Sequence, residues 1–272
     1  MQKLWSEWEN VKKRMGKKAL MLFLDYDGTL TPIVSRPELA ILSAETRGLL
    51  RELSENESCK IAIISGRALS DVKEKVGLEN LVYVGNHGLE IEGPKLKHVF
   101  FEFDEFRAIL DKVKTELAYV LSVFKGSFIE DKGLSLSLHF RMVSPGKLIA
   151  LRTAVREALV HHVARNRIRV KRGKMVFEIR PPINWNKGKV VLWLLARWEF
   201  VFAGKKAIPV YIGDDATDED AFTALKGKGL TIFVGKPGDQ TAAQYYLKDQ
   251  NQVLVFLRKI LTEKADDEKK TL

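Results

Sequence analysis

Two acids stand two residues apart in the stretch Asp25-Tyr-Asp-Gly-Thr-Leu-Thr-Pro32. A carboxylate such as Asp25 is able to attack phosphorus and carry the phosphoryl group as an aspartyl ester. A second acid at Asp27 would protonate the departing oxygen and then activate water. Gly28 allows the tight turn that brings backbone N–H groups to a phosphate. Far along the chain, five of the seven residues from Asp214 to Asp220 are acidic. Acids at a helix start account for one or two of them. Asp214, Asp215 and Asp25 would repel one another unless a divalent cation lay between them, and oxygen ligands beside a phosphate point to Mg²⁺. Ser65, in Ile64-Ser-Gly-Arg67, reads either as a phosphate donor near a helix start or as a plain helix cap. Lys187, in Asn184-Trp-Asn-Lys187, is a cation able to neutralise phosphate and aspartate together, though its local sequence does not set it apart from other lysines.

These residues follow short apolar runs. Ala19–Leu24, Lys60–Ile64, Leu81–Val84 and Ala207–Ile212 read as strands buried on both faces, as in a parallel sheet. Helical patterns separate them: one from Ser43 to Leu53 capped by Ser43, one ending at Val76, Lys187–Phe200, and 217–226 capped by Thr217. Strand–helix alternation predicts a doubly wound α/β core, whose ligands bind beyond the carboxyl ends of the strands, where the acids lie. Leu230–Val234 supplies a further strand and Val253–Ile260 a last helix. Residues 1–18 read as a helical basic lead-in, and 263–272 as a disordered tail.

Between residues 97 and 182 the pattern changes. Two helical stretches, 105–124 and 145–164, accompany segments of period-two alternation at 127–132, 134–141, 167–171 and 175–180. Such alternation marks half-exposed antiparallel strands. The block is predicted to be an inserted α+β domain, with residues 1–96 and 183–272 forming the core around it. Its charged residues within β-patterned segments, among them Glu130, Lys132 and Glu178, read as the solvated face of a sheet or as partners for sugar hydroxyls.

The chain has 272 residues, 46% hydrophobic and 29% charged, a globular profile. No apolar run reaches the roughly 20 residues of a membrane span, and no signal-peptide pattern opens the chain, so a cytoplasmic location is expected. The single cysteine, Cys59, excludes an internal disulfide framework and a multi-cysteine zinc site. The net charge of +10 is spread along the chain. Its densest stretch, Arg165–Arg172, lacks the interleaved aromatics of a single-strand nucleic-acid platform, and nucleic-acid binding is not expected.

Taken together, the motifs resemble the haloacid dehalogenase superfamily, and within it the trehalose-6-phosphate phosphatases. The likeness rests on Phe23–Ile33, Ile64–Arg67, Gly85-Asn-His-Gly-Leu-Glu90, Glu178-Ile-Arg-Pro181 with Asn186-Lys-Gly188, and Gly213-Asp-Asp-Ala-Thr-Asp-Glu-Asp-Ala-Phe222. The resemblance implies a Rossmann-like core with a cap inserted between the second and third motifs. It implies Asp25 as nucleophile, Asp27 as acid/base, and Ser65 and Lys187 as holders of the phosphoryl group. Mg²⁺ would bind Asp25, the main-chain carbonyl of Asp27 and Asp214, with Asp215 and Asp218 supporting it. Arg67, His87 and Glu90 would line the core side of a sugar pocket. From the cap, Glu130, Lys132, Ser135, His139, Arg141, Glu178 and Arg180 are candidates for the sugar hydroxyls. One departure is Asn86, where the family pattern leads one to expect an acidic or small residue before the histidine. The expected partner is a small sugar phosphate handled by a monomer. Another sugar phosphatase, a phosphomutase or a catalytically silent sensor of the same superfamily are the rival readings.

Overall fold

A computed structural model describes residues 1–99, 104–173, 175–202, 206–236 and 241–269. The chain divides into two compact units, Met1–His98 with Trp185–Leu272, and Val99–Asn184.

In the first unit, β1 (Gln2–Lys3) and α1 (Trp8–Met15) lead into β2 (Ala19–Asp25), followed by α2 (Ala44–Glu55), β3 (Cys59–Ile64), α3 (Leu69–Val76), β4 (Val82–Gly85), β5 (Glu90–Gly93) and β6 (Leu96–Val99). After the second unit come α6 (Lys187–Val201), β11 (Ala207–Gly213), α7 (Glu219–Ala224), β12 (Leu230–Val234), β13 (Tyr245–Leu247) and α8 (Gln250–Lys269). The strands lie in the order β1-β13-β12-β11-β2-β3-β4-β5-β6. Pairing is parallel from β1 through β4, and β5 turns antiparallel on β4.

Every residue of β2 is buried, because helices cover both faces. Leu20, Leu22 and Leu24 point into the cluster shared with α1, α2, α3 and α8. On the other face Phe23 stacks on Trp198 of α6 at 5.2 Å. The chain runs from β2 outward through β3 and β4, then returns to β11 on the other side. The strand order therefore reverses between β2 and β11, the place where such sheets bind ligands. Their register pairs Leu24 with Ile212, so Asp25 and Gly213-Asp214 leave the sheet together.

The second unit packs α4 (Asp104–Leu121) and α5 (Leu148–Ala164) on one face of a sheet formed by β7 (Phe128–Asp131), β8 (Leu136–His139), β9 (Arg169–Gly173) and β10 (Val176–Arg180), in the order β7-β8-β10-β9. Phe106, Leu110, Val113, Leu117 and Leu121 repeat at helical spacing along α4 and meet Leu136, Leu138, Phe177 and Ile179 from the strands. The basic stretch that includes Arg169, Lys171 and Arg172 is an edge strand, where charged side chains discourage pairing with another chain.

Three local expectations are corrected. Residues 1–18 are not helical throughout, because β1 pairs with β13 through Gln2 and Tyr245. Thr217 does not cap a helix. Its Oγ1 and its N–H both donate to Asp215 Oδ1 at 2.7 Å, and the helix starts at Glu219. Most of the tail is ordered as the end of α8. Lys264 is buried and donates to the Lys18 carbonyl at 2.6 Å, and Glu263 pairs with Lys12 at 2.7 Å. Residues 270–272 lie outside the described residues.

Candidate active site

Asp25 ends β2 and is 5% exposed. Lys187, the first residue of α6, is equally buried and donates from Nζ to Asp25 Oδ1 and to Asp218 Oδ1, both at 2.7 Å. Asp218 is a hub. Tyr211 Oη also donates to its Oδ1 at 2.7 Å, and the N–H groups of Asp214 and Asp215 donate to its Oδ2 at 2.9 and 3.0 Å. With both oxygens so occupied, Asp218 fixes the lysine and the Asp214–Asp215 turn at once.

Four carboxylates, Asp25, Asp214, Asp215 and Asp218, thus crowd one ammonium. Burial, reinforced by Asp218 and Asp214 and opposed by Lys187, holds the Asp25 carboxyl well above the usual range. Burial alone would lower the Lys187 pKa, but Asp218 and Asp25 override it and keep the ammonium charged. Burial also acts to raise Asp215, yet Lys187 and the two hydrogen bonds from Thr217 outweigh it and depress that carboxyl.

Oxygens of Asp25, Asp214 and Asp218 lie within 4.8 Å of one another, all from buried residues. A donor set made only of oxygen suits a hard divalent cation, and the excess of negative charge over Lys187 calls for one. The loop geometry fits as well. Gly28 has φ +91°, and a Cβ there would come within 2.3 Å of the Asp214 carboxylate. Only a residue without a side chain lets the Asp25–Asp27 turn and Asp214 approach this closely.

Asp27 is held from the other side. Arg67 Nε and Nη2 donate to its two oxygens at 2.7 Å each, a bidentate pair. The same guanidinium donates to Asp71 at 2.6 Å and to the Pro37 carbonyl at 2.9 Å, and lies 5.2 Å from the centre of the Tyr26 ring. Arg67, predicted as a sugar contact, therefore has its fork turned on the acid. Sequence reasoning missed this pairing because nothing local links positions 27 and 67.

Ser65 follows β3, is buried, and accepts from the Arg67 N–H at 3.1 Å. Its carbonyl accepts from the N–H of His87 at 3.0 Å. His87 packs so closely on Gly66 that a Cβ there would lie 2.3 Å from the imidazole. Asn86 and His87 both adopt positive φ, 48° and 56°, a conformation uncommon outside glycine. Asn86 donates to Glu90 at 2.6 Å, and Trp185 Nε1 to the Gly88 carbonyl at 2.8 Å. The first unit thus gathers Asp25, Asp27, Ser65, Arg67, His87, Glu90, Lys187, Asp214, Asp215 and Asp218 at one end of its sheet. It adds Tyr211 and Asn86, which their sequence context did not mark as hydrogen-bonding partners of site residues.

In the second unit, Glu130, Ser137, Glu178 and Lys171 form a cross-strand row. They stand on the sheet face opposite α4 and α5. His139 Nε2 is 2.8 Å from Glu130 Oε2 and its ring stacks on Phe128 at 4.7 Å. Lys132 Nζ lies 3.9 Å from both Glu130 and Glu178, and Arg180 pairs with Glu178. Ser135 is buried just before β8, and Arg141 is exposed in the turn after it.

Comparison with known proteins decides the family. The family model described as Trehalose-phosphatase matches residues 23–251. This chain belongs to the trehalose-phosphatase family. It is 36% identical over 272 residues to a protein named probable trehalose-phosphate phosphatase 4 of Oryza sativa subsp. japonica, covering 98% of this chain and 72% of that one. It is 35% identical to trehalose-phosphate phosphatase B of Arabidopsis thaliana, covering 90% of this chain and 67% of that protein. The C-terminal domain of the C. albicans trehalose-6-phosphate phosphatase superimposes with a TM-score of 0.79 at 29% identity, over 93% of this chain and 95% of that one. The doubly wound core with a separate α+β unit is therefore the fold of this family.

Proposed function

We propose that this chain hydrolyses trehalose 6-phosphate to trehalose and inorganic phosphate through an aspartyl-phosphate on Asp25. The observation that carries this reading is the buried Asp25, fixed by Lys187 and Asp218, at the same sheet end as the acid Asp27 in the grip of Arg67.

An oxygen of Asp25 attacks phosphorus while the bond from phosphorus to the sugar oxygen breaks. Asp27, protonated on an oxygen that Arg67 must first release, gives its proton to that oxygen. Asp27 then takes a proton from a water whose oxygen bonds to phosphorus as the Asp25–phosphorus bond breaks, releasing phosphate and restoring both acids. Lys187 and Ser65 hold the phosphoryl oxygens, and the ammonium absorbs charge that develops on them. Asp25, the Asp27 carbonyl and Asp214 would hold Mg²⁺, with Asp215 and Asp218 in support, and the bound ion would supply Lewis-acid polarisation of the phosphoryl oxygens.

For the sugar hydroxyls the proposed partners are His87 and Glu90 of the first unit and Glu130, Lys132, Ser135, His139, Arg141, Glu178 and Arg180 of the second. Dense charged and hydroxyl groups on one sheet face suit a ligand made mainly of hydroxyls. The proposal includes a cytoplasmic setting and a monomer. Among the described residues no helix is long and apolar enough to cross a membrane.

Asp25→Asn keeps the shape of the side chain and removes the nucleophile. The variant should unfold at a temperature close to that of the parent and release no phosphate. Turnover at the parent rate would exclude Asp25 as the nucleophile.

A further inference from the structure

Two histidines and a glutamate, none of them used by the chemistry above, converge where α4 meets α5 in the second unit. Glu116 lies on α4, and His161 and His162 lie in the last turn of α5. One ligand atom of each is within 4.8 Å of the others. His162 Nε2 is 2.9 Å from Glu116 Oε2, and His161 Nε2 is 3.9 Å from the same oxygen. The two rings stand 3.9 Å apart. His162 is 1% exposed, and its Nδ1 is buried with no hydrogen-bond partner among the described residues.

A hydrogen bond between His162 and Glu116 accounts for one edge of this triangle, and the neighbouring His161 brings a second imidazole nitrogen toward the same carboxylate oxygen. Donors bound to a tetrahedral metal at about 2.0–2.1 Å are separated from one another by roughly 3.3 Å, and the two nitrogen-to-carboxylate separations, 2.9 and 3.9 Å, bracket that value. Two imidazole nitrogens with one carboxylate oxygen are the donor chemistry of Zn²⁺ rather than of Mg²⁺ or Ca²⁺. The carbonyl end of α5 carries partial negative charge, which favours a cation. His161 is 44% exposed and leaves an entry path.

We propose that Glu116, His161 and His162 form a Zn²⁺ site that ties α4 to α5 and leaves a fourth position open to water. It uses none of the groups assigned to the phosphoryl chemistry, so it stands or falls separately from that reading.

The test titrates ZnCl₂ into the metal-free 272-residue chain by calorimetry, with excess Mg²⁺ present to fill the oxygen-only site, and records Co²⁺ absorption in parallel. The parent should bind one Zn²⁺ per chain, give the visible band of tetrahedral Co²⁺, and unfold at a higher temperature with Zn²⁺. His161→Ala alters an exposed side chain and should retain the fold. It should weaken Zn²⁺ binding by about tenfold or more and lose the Co²⁺ band. Glu116→Gln, which keeps a similar shape, should behave the same way. Absence of binding by the parent, or Zn²⁺ binding by both variants with the parent's affinity, would overturn the proposal.

Discussion

Arg67 is 4% exposed and donates to both oxygens of Asp27 and one of Asp71. A lysine at this position would offer a point charge in place of a planar fork, so it could not reproduce the bidentate geometry. Arg67→Lys should therefore lower kcat for phosphate release while leaving KM near the parent value. The loss is bounded by the roughly 10²–10⁴-fold that a positioned acid contributes. If Arg67 instead contacted the sugar, KM would rise with kcat unchanged, and steady-state kinetics separates the two. The residue scale also shows what sequence patterns carry. Asp25 and Asp27 stood out because they follow an apolar strand directly. Asp214 and Asp215 stood out because acids are dense there. Arg67 as partner of Asp27, and Tyr211 as donor to Asp218, did not, since each depends on where separate strands place their ends.

At the scale of elements, the second unit is braced by an ion cluster between α4 and β7. Arg107 donates to both oxygens of Asp131 at 2.9 and 2.7 Å, and Lys114 to one of them at 2.8 Å. The Arg107 hydrogen bond leads the interactions that hold the Asp131 carboxyl below its ordinary range, against a smaller opposing effect of burial. A carboxyl whose pKa is depressed by folding adds stability above its unfolded pKa of about 3.9 and loses it as pH falls toward the folded value. Asp131→Asn should thus be less stable than the parent near neutrality, and the gap should narrow as pH drops below about 4. Denaturant unfolding of both proteins across pH checks this, and a gap that widened in acid would contradict it. The long buried strands β2, β3 and β11 were legible because parallel sheets need continuous apolar runs. β1 and β13, of two and three residues, carry too little pattern of their own and exist through their pairing. The end of α8 looked like a solvated tail because its order comes from Lys264 and Glu263 meeting the distant residues Lys12 and Lys18.

At the scale of the whole molecule, the proposed function divides into phosphoryl chemistry on the first unit and sugar recognition on the polar sheet face of the second. Glu178 sits in that face beside Lys132 and Arg180. Glu178→Gln should raise KM for the sugar phosphate several-fold more than it lowers kcat, whereas a fall in kcat alone would place Glu178 in the chemical step. The most direct measurement is phosphate release from trehalose 6-phosphate, glucose 6-phosphate and mannosylglycerate phosphate at equal concentration, each with Mg²⁺ and with EDTA. The proposed function predicts rapid release from trehalose 6-phosphate with Mg²⁺, far slower release from the other two, and none with EDTA. Equal release from all three, or full activity with EDTA, would contradict it.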